Sequence, residues 1–321
     1  MKQCLQKKIN NYFLRVDLIK IKLENFLRLN LNLCATKKIL ILTVLTMVFI
    51  SGCTQYPSEK SQDKINVIVS ILPQKAFAKA VGGDYVNVNE LIPPGGSPAT
   101  YDLKPSDLVN IEKADIYFRI GHIPFEKSHA DKLTALNPNM KVVDTSKNVK
   151  LKYAGENERG IDPHIWLSPI KVKKQVDAIA EALSQIDPEN AEEYNQNAIN
   201  FKKELDDLNA ELKGKFAEIG TKKLLVFHPA WGYFADEYGL EQIAIEHEGK
   251  EPTAKQLKEL IDKAKEEEIK VIFVQSQFNK DIAESIAKEI DAVVVSINPL
   301  SEDYLNNLRN VGETITKYLN K

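Results

Sequence analysis

The chain has 321 residues, 43% hydrophobic and 27% charged, with net charge −2, 14 Gly, 14 Pro and three Cys. That length suits two domains with cores of their own; the composition excludes low-complexity disorder, and three cysteines exclude a disulfide scaffold. The near-zero charge hides an asymmetry, because residues 1–53 carry nine Lys and Arg against Asp17 and Glu24, a balance of +7 that leaves −9 on the rest.

The basic head reads as an address. Between Lys38 and Cys53 runs Ile39-Leu-Ile-Leu-Thr-Val-Leu-Thr-Met-Val-Phe-Ile-Ser-Gly-Cys53, apolar and uncharged. It is shorter than the roughly 20 apolar residues that cross a bilayer, and it fits the h-region of a secretory signal. Its ending, Ile50-Ser51-Gly52-Cys53, looks like a bacterial-type lipobox, which implies cleavage before Cys53 and a lipid anchor on its thiol. The polar stretch 54–64 then reads as a tether. The alternative is an uncleaved membrane helix with Cys53 as a small buried residue. Either way the body is expected at the outer face of the cytoplasmic membrane. Residues 1–35 exceed what such a signal needs, so translation is expected to begin near Leu33. Cys4 and Cys34 leave with the head, and the body then has no disulfide or thiolate metal site.

From residue 65 apolar runs rich in Val, Ile and Tyr alternate with helical patterns. Strands are predicted over 65–72, 85–92, 115–120 and 141–144, with helices near 73–82, 105–114 and 124–136. This βαβ alternation implies a parallel sheet. It resumes with strands over 223–227, 240–245, 270–274 and 292–297 and helices near 230–238, 253–268, 279–290 and 302–319. Residues 169–218 show no strand signal. Tyr194, Ala198, Phe201, Leu205, Leu208, Leu212 and Phe216 recur at steps of three and four, a helical stripe, and Asp187-Pro188 supplies a start. A helix of about 30 residues spans about 45 Å, enough to join two lobes. The predicted class is therefore α/β: an N-terminal lobe over 65–168, connecting helices over 169–218 and a C-terminal lobe over 219–321, with two parallel sheets joined by one long rigid helix.

Five histidines are available: His122, His129, His164, His228 and His247. His228 stands where the first strand of the second half stops, and His164 is read as its counterpart in the first half. Residues at the carboxyl ends of parallel strands face the crevice where α/β folds bind ligands, so the two imidazoles are expected to meet across the interlobe cleft. Trp166 and Trp231, the only tryptophans, follow them within three residues and are expected to pack behind the site and exclude water.

Four motifs in order carry a resemblance: Gly95-Gly-Ser-Pro-Ala-Thr-Tyr-Asp-Leu-Lys-Pro-Ser-Asp107, Asp162-Pro-His-Ile-Trp-Leu-Ser-Pro169, Phe227-His-Pro-Ala-Trp-Gly-Tyr-Phe-Ala-Asp-Glu-Tyr-Gly-Leu240, and Gln277-Phe-Asn with Ile297-Asn-Pro-Leu300. Over residues 65–320 the chain resembles the zinc/manganese solute-binding lipoproteins of ABC transporters (cluster A-I), and its His228 resembles the zinc branch. The resemblance implies a metal-type solute-binding fold and one divalent ion, zinc with manganese as the alternative, held as cargo between the lobes. It also implies an ABC permease and its ATPase as partners, a lipid tether to the membrane, and a monomer. Carried over by position, His164 and His228 match two ligands. Ala99 stands where the family has a third histidine, and Asn298 where it has an aspartate.

Two neutral imidazoles and an amide carbonyl supply no negative charge, so a +2 ion would be poorly compensated. The candidates to complete the shell are His122, which follows a strand of the lobe that carries Ala99, and Glu246, His247 and Glu248. The His-rich loop of many zinc members has no counterpart in 147–160. Nucleotide and hydrolase motifs are absent: there is no G-x-G-x-x-G, phosphate loop, nucleophile elbow or H-E-x-x-H. No enzymatic activity is expected. The acidic body also argues against nucleic acid as a partner. Two other readings stay open: a receptor of this fold for a non-metal or chelated ligand, and a surface adhesion or interaction lipoprotein.

Overall fold

A computed structural model describes residues 64–153, 160–246, 252–278 and 280–320. The signal, the lipobox with Cys53, nearly all of the tether, and the candidates His247 and Glu248 lie outside them. Among the described residues no helix is long and apolar enough to cross a membrane.

The first lobe contains β1 (Ile65–Val69), α1 (Leu72–Gly82), β2 (Val86–Glu90), α2 (Pro105–Glu112), β3 (Ile116–Arg119), α3 (Pro124–Leu136) and β4 (Lys141–Asp144). Two connecting helices follow, α4 (Pro169–Ile186) and α5 (Ala191–Ala217). The second lobe contains β5 (Lys223–Val226), α6 (Gly232–Tyr238), β6 (Glu241–Ala244), α7 (Ala254–Glu266), β7 (Val271–Val274), α8 (Asp281–Ile290), β8 (Val293–Ser296) and α9 (Tyr304–Leu319). The sheets are ordered β2-β1-β3-β4 and β6-β5-β7-β8. All pairings are parallel, as the βαβ pattern predicts.

β1 ends at Val69, short of the predicted 72, because Leu72-Pro73 opens α1. A proline in the first two helical positions lacks only an N–H that would have no partner there. The same device starts α2, α3 and α4. The predicted stripe of seven apolar residues is the buried face of α5, which at 27 residues is about 40 Å long. Its start differs from the expectation. Pro188 opens a 3-10 turn rather than the helix itself, because the Asp187 carboxylate is engaged by Asn190 and by the Tyr194 hydroxyl (2.6 and 2.7 Å) instead of capping the helix.

The spine packs on both lobes. Phe201 lies 6.1 Å from Phe77 of α1, and Phe216 lies 5.5 Å from Phe234 of α6. At Gly312 of α9 a Cβ would stand 2.4 Å from Leu212 Cδ2, so a larger residue there would displace that side chain where α9 meets the spine. The lobes do not have the separate cores that length suggested. One apolar cluster runs from Val69 and Phe77 through Leu208 to Phe273 and Ile315, and a second fills the outer side of the C-terminal lobe.

Candidate functional site

The strand order reverses between β1 and β3 in one lobe and between β5 and β7 in the other, the switch points where α/β sheets offer a ligand crevice. In the C-terminal lobe His228 follows β5, while Gln275, Gln277 and Phe278 follow β7, and all four line a cavity of about 470 Å³. Ile123 and Pro124 after β3, Ala99, and Asp162, Pro163, His164 and Trp166 line it from the N-terminal lobe.

His164 reaches the cavity from a loop that leads into a helix, as its motif predicts, and not from the strand end expected of a counterpart to His228. β4 stops at Asp144, and His164 precedes a 3-10 turn, Ile165–Leu167. Ahead of His164, Tyr153 and Ile161 pair through an isolated antiparallel bridge. The His164 and His228 ring centres are 5.3 Å apart at 78°.

Each ring is oriented by a buried carboxylate. Asp162 accepts from His164 Nδ1 at 2.8 Å and from the His164 backbone N–H at 2.9 Å. Glu246 takes His228 Nδ1 in a short hydrogen bond. With both Nδ1 atoms engaged as donors, each Nε2 keeps its lone pair, the arrangement of metal-binding histidines. Burial pushes the His164 pKa down, against the opposing pull of Asp162, which favours the neutral, metal-binding form. Phe278 stacks on His228 at 5.0 Å and 22°, and Trp166 lies 5.1 Å from His164.

These rings suit a shared tetrahedral ion. A zinc ion about 2.0–2.1 Å from each Nε2 is roughly 3.2 Å from each ring centre, which puts the centres roughly 5.2 Å apart at tetrahedral angles. The carboxylates also correct the charge argument made from sequence. Asp162 and Glu246, one bond behind the imidazoles, balance a +2 ion electrostatically. Donor atoms are what is scarce, since among the described residues no group of three or more His, Cys, Asp and Glu forms a metal cluster.

The remaining candidates lie elsewhere. Asn298 Oδ1 accepts the Leu300 N–H at 2.9 Å, and Asn298 is not in the cavity lining. His122 also lies outside the lining; burial lowers its pKa while Asp144 opposes the shift. Trp231 is fully buried and packs edge-on to Phe234 at 5.7 Å, inside the core rather than against the cavity. Trp166 does more than shield. Its indole N–H donates to the Pro299 carbonyl at 2.8 Å, and its own carbonyl accepts from the Tyr304 hydroxyl, tying the lobes beside the cavity. A second tie runs from the Tyr233 hydroxyl to the Asp162 carbonyl at 3.1 Å. At Gly232, where α6 begins, a Cβ would stand 2.8 Å from Asp162 Oδ2, so glycine leaves that carboxylate its place.

Asp162 was overlooked as a functional residue although its signal was local: a short carboxylate two positions before a histidine can reach back to orient it. Gln275 and Phe278 gave no comparable signal.

Comparison with known proteins agrees with this architecture. Residues 67–318 match the family of zinc-uptake complex component A, periplasmic. Over 265 residues the chain is 29% identical to the high-affinity zinc uptake system protein ZnuA of Bacillus subtilis, covering 78% of this chain and 83% of that one. It is 28% identical to the zinc-binding lipoprotein AdcA of Streptococcus pneumoniae, using 82% of this chain but spanning only 55% of that longer protein. The crystal structure of a ZnuA deletion mutant with zinc bound superposes with a TM-score of 0.78 at 40% identity, over 81% of this chain and 99% of that one. With two like-ordered parallel sheets, a shared spine and paired interlobe histidines, the chain belongs to the zinc-uptake complex component A family.

Proposed function

We propose that this protein is the extracytoplasmic receptor of an ABC importer for a divalent metal, with zinc as its cargo, held between the lobes by His164 and His228. The observation that carries the reading is the pair of imidazoles 5.3 Å apart, each fixed through Nδ1 by its own carboxylate. Neutral nitrogen donors suit zinc, and two outer carboxylates offset its charge. The zinc-binding relatives support the same cargo.

The lipobox supports a lipid anchor at Cys53 that keeps the body beside its permease and ATPase at the outer membrane face. The interlobe ties through Trp166 and Tyr233 resist a wide hinge opening, so loading and release proceed by local motion of the cavity-lining segments. No catalytic step is needed for this role. Metal analysis of protein purified without chelators tests it: about one equivalent of zinc is expected, and none in the His164→Ala/His228→Ala double variant. Equal zinc content in parent and variant would remove these residues from the role.

A further inference from the structure

We propose that the cargo is a chelate rather than a bare ion: zinc carrying one α-amino acid with an apolar side chain, whose amine and carboxylate complete the shell begun by His164 and His228. This rests on the metal-receptor reading above and specifies what that site takes.

Four-coordinate zinc takes four donors, and the described residues bring two imidazoles to the cavity. Ala99 presents only a methyl group at the exposed rim, and Asn298 holds the Leu300 N–H instead. Asp162 and Glu246 already offset the ionic charge, so the site lacks donor atoms more than charge. A bidentate ligand of low charge supplies them.

The space agrees. A cavity of about 470 Å³ is the size of a site for a small organic molecule, whereas two water ligands fill only about 60 Å³ at about 30 Å³ each. Much of its wall is apolar, with five prolines (Pro98, Pro124, Pro163, Pro229 and Pro299) beside Phe278 and Leu300. Proline fixes φ and offers no N–H, so waters completing the shell would meet few hydrogen-bonding partners, whereas an apolar side chain fills the same wall favourably. Two glutamines remain. Gln275 is 2% exposed and lines the cavity; its Nε2 donates to the His228 carbonyl at 3.5 Å. Its Oε1, like that of Gln277 in the same lining, has no hydrogen-bond partner among the described residues. A zinc-bound amine carries N–H donors for such an acceptor, and a buried amide oxygen left unpaired is costly.

The test uses the whole chain with zinc chloride alone, with added L-phenylalanine, and with N-acetyl-L-phenylalanine, whose blocked amine cannot chelate. Native mass spectrometry should show a 1:1:1 protein–zinc–phenylalanine species only with the free amino acid. Calorimetry should show apparent zinc affinity rising at least tenfold, although phenylalanine in solution competes for the ion. Ala99→His, which restores a third imidazole, should bind zinc alone at least tenfold more tightly and no longer take up phenylalanine. The proposal is overturned by a fall in apparent zinc affinity with phenylalanine and no ternary species, by equal uptake of the acetylated control, or by tight chelator-free binding that His247→Ala abolishes. Zinc binding in none of these conditions would instead overturn the receptor reading itself.

Discussion

The two lobes share one strand order, yet their switch points are filled differently. In the C-terminal lobe the ends of β5 and β7 present His228 and Gln275 to the cavity. In the N-terminal lobe the ends of β1 and β3 are closed by a carboxylate. Glu126, at the start of α3 and 2% exposed, accepts the N–H groups of Ile120 and Gly121 at 2.8 and 2.6 Å and a short hydrogen bond from Ser70, whose hydroxyl also meets Tyr117. With its crevice plugged, this lobe delivers its imidazole from the 162–166 segment, which the other lobe clamps through Tyr233 at Asp162 and Pro299 at Trp166. Like-ordered sheets do not imply like-positioned ligands. One half-site is built on a strand end, and the other depends on contact between the lobes.

The largest effects test whether both half-sites are needed. His164→Ala and His228→Ala should each weaken zinc binding by calorimetry by more than the roughly 10–100-fold that outer-shell changes cost. A loss confined to one of them would make the other a bystander.

Next come the carboxylates. Asp162→Asn and Glu246→Gln should each cost about 10–100-fold in zinc affinity, but only Asp162→Asn should also lower the thermal midpoint clearly. Asp162 holds the His164 backbone as well as its ring, and a hydrogen bond to a charged group contributes about 1.5–3 kcal/mol. Equal midpoints for the two variants would break the distinction between a clamped half-site and a strand-end one.

The plug should reveal itself in pH dependence. Burial, partly offset by its hydrogen bonds, raises Glu126 to about 7, above the value of about 4.3 expected for an unfolded glutamate. A raised carboxyl pKa means the folded state holds the proton longer, so this stability is complete below about 4.3 and is lost as pH rises through about 7. Its full span is roughly 3–4 kcal/mol at about 1.36 kcal/mol per pH unit. Glu126→Gln should therefore flatten the fall in thermal midpoint between pH 5 and pH 8. An unchanged slope would show that the plug does not titrate there. The smallest effect is that of Trp166→Phe, which removes the indole N–H donated to Pro299. About 1 kcal/mol of stability and little zinc affinity should go with it.

Much of the fold was legible because each element announces itself locally. Val and Ile runs mark the strands, and the 194–216 stripe marks the spine. The errors arose where one residue changed the local choice, as when Leu72-Pro73 ended the first strand early and Pro188 opened a 3-10 turn. The site was legible in part. The two histidines stood out in similar motifs, but His164 precedes a 3-10 turn whereas His228 follows a strand. Glu246 was a candidate for the metal shell, yet its pairing with His228, 18 residues away, depends on the adjacency of β5 and β6. Trp231 resembles Trp166 in sequence, but one helps fill the core and the other ties the lobes. Cavity size was illegible, since residues far apart in sequence, from Ser97 to Leu300, line it together.

The central claim is that one divalent ion is shared by the two half-sites. Anomalous diffraction at the zinc edge from crystals of the zinc-loaded protein tests it most directly. The account predicts a single strong peak within about 2.0–2.1 Å of Nε2 of both His164 and His228. A peak bound to only one of them, or to neither, would contradict it.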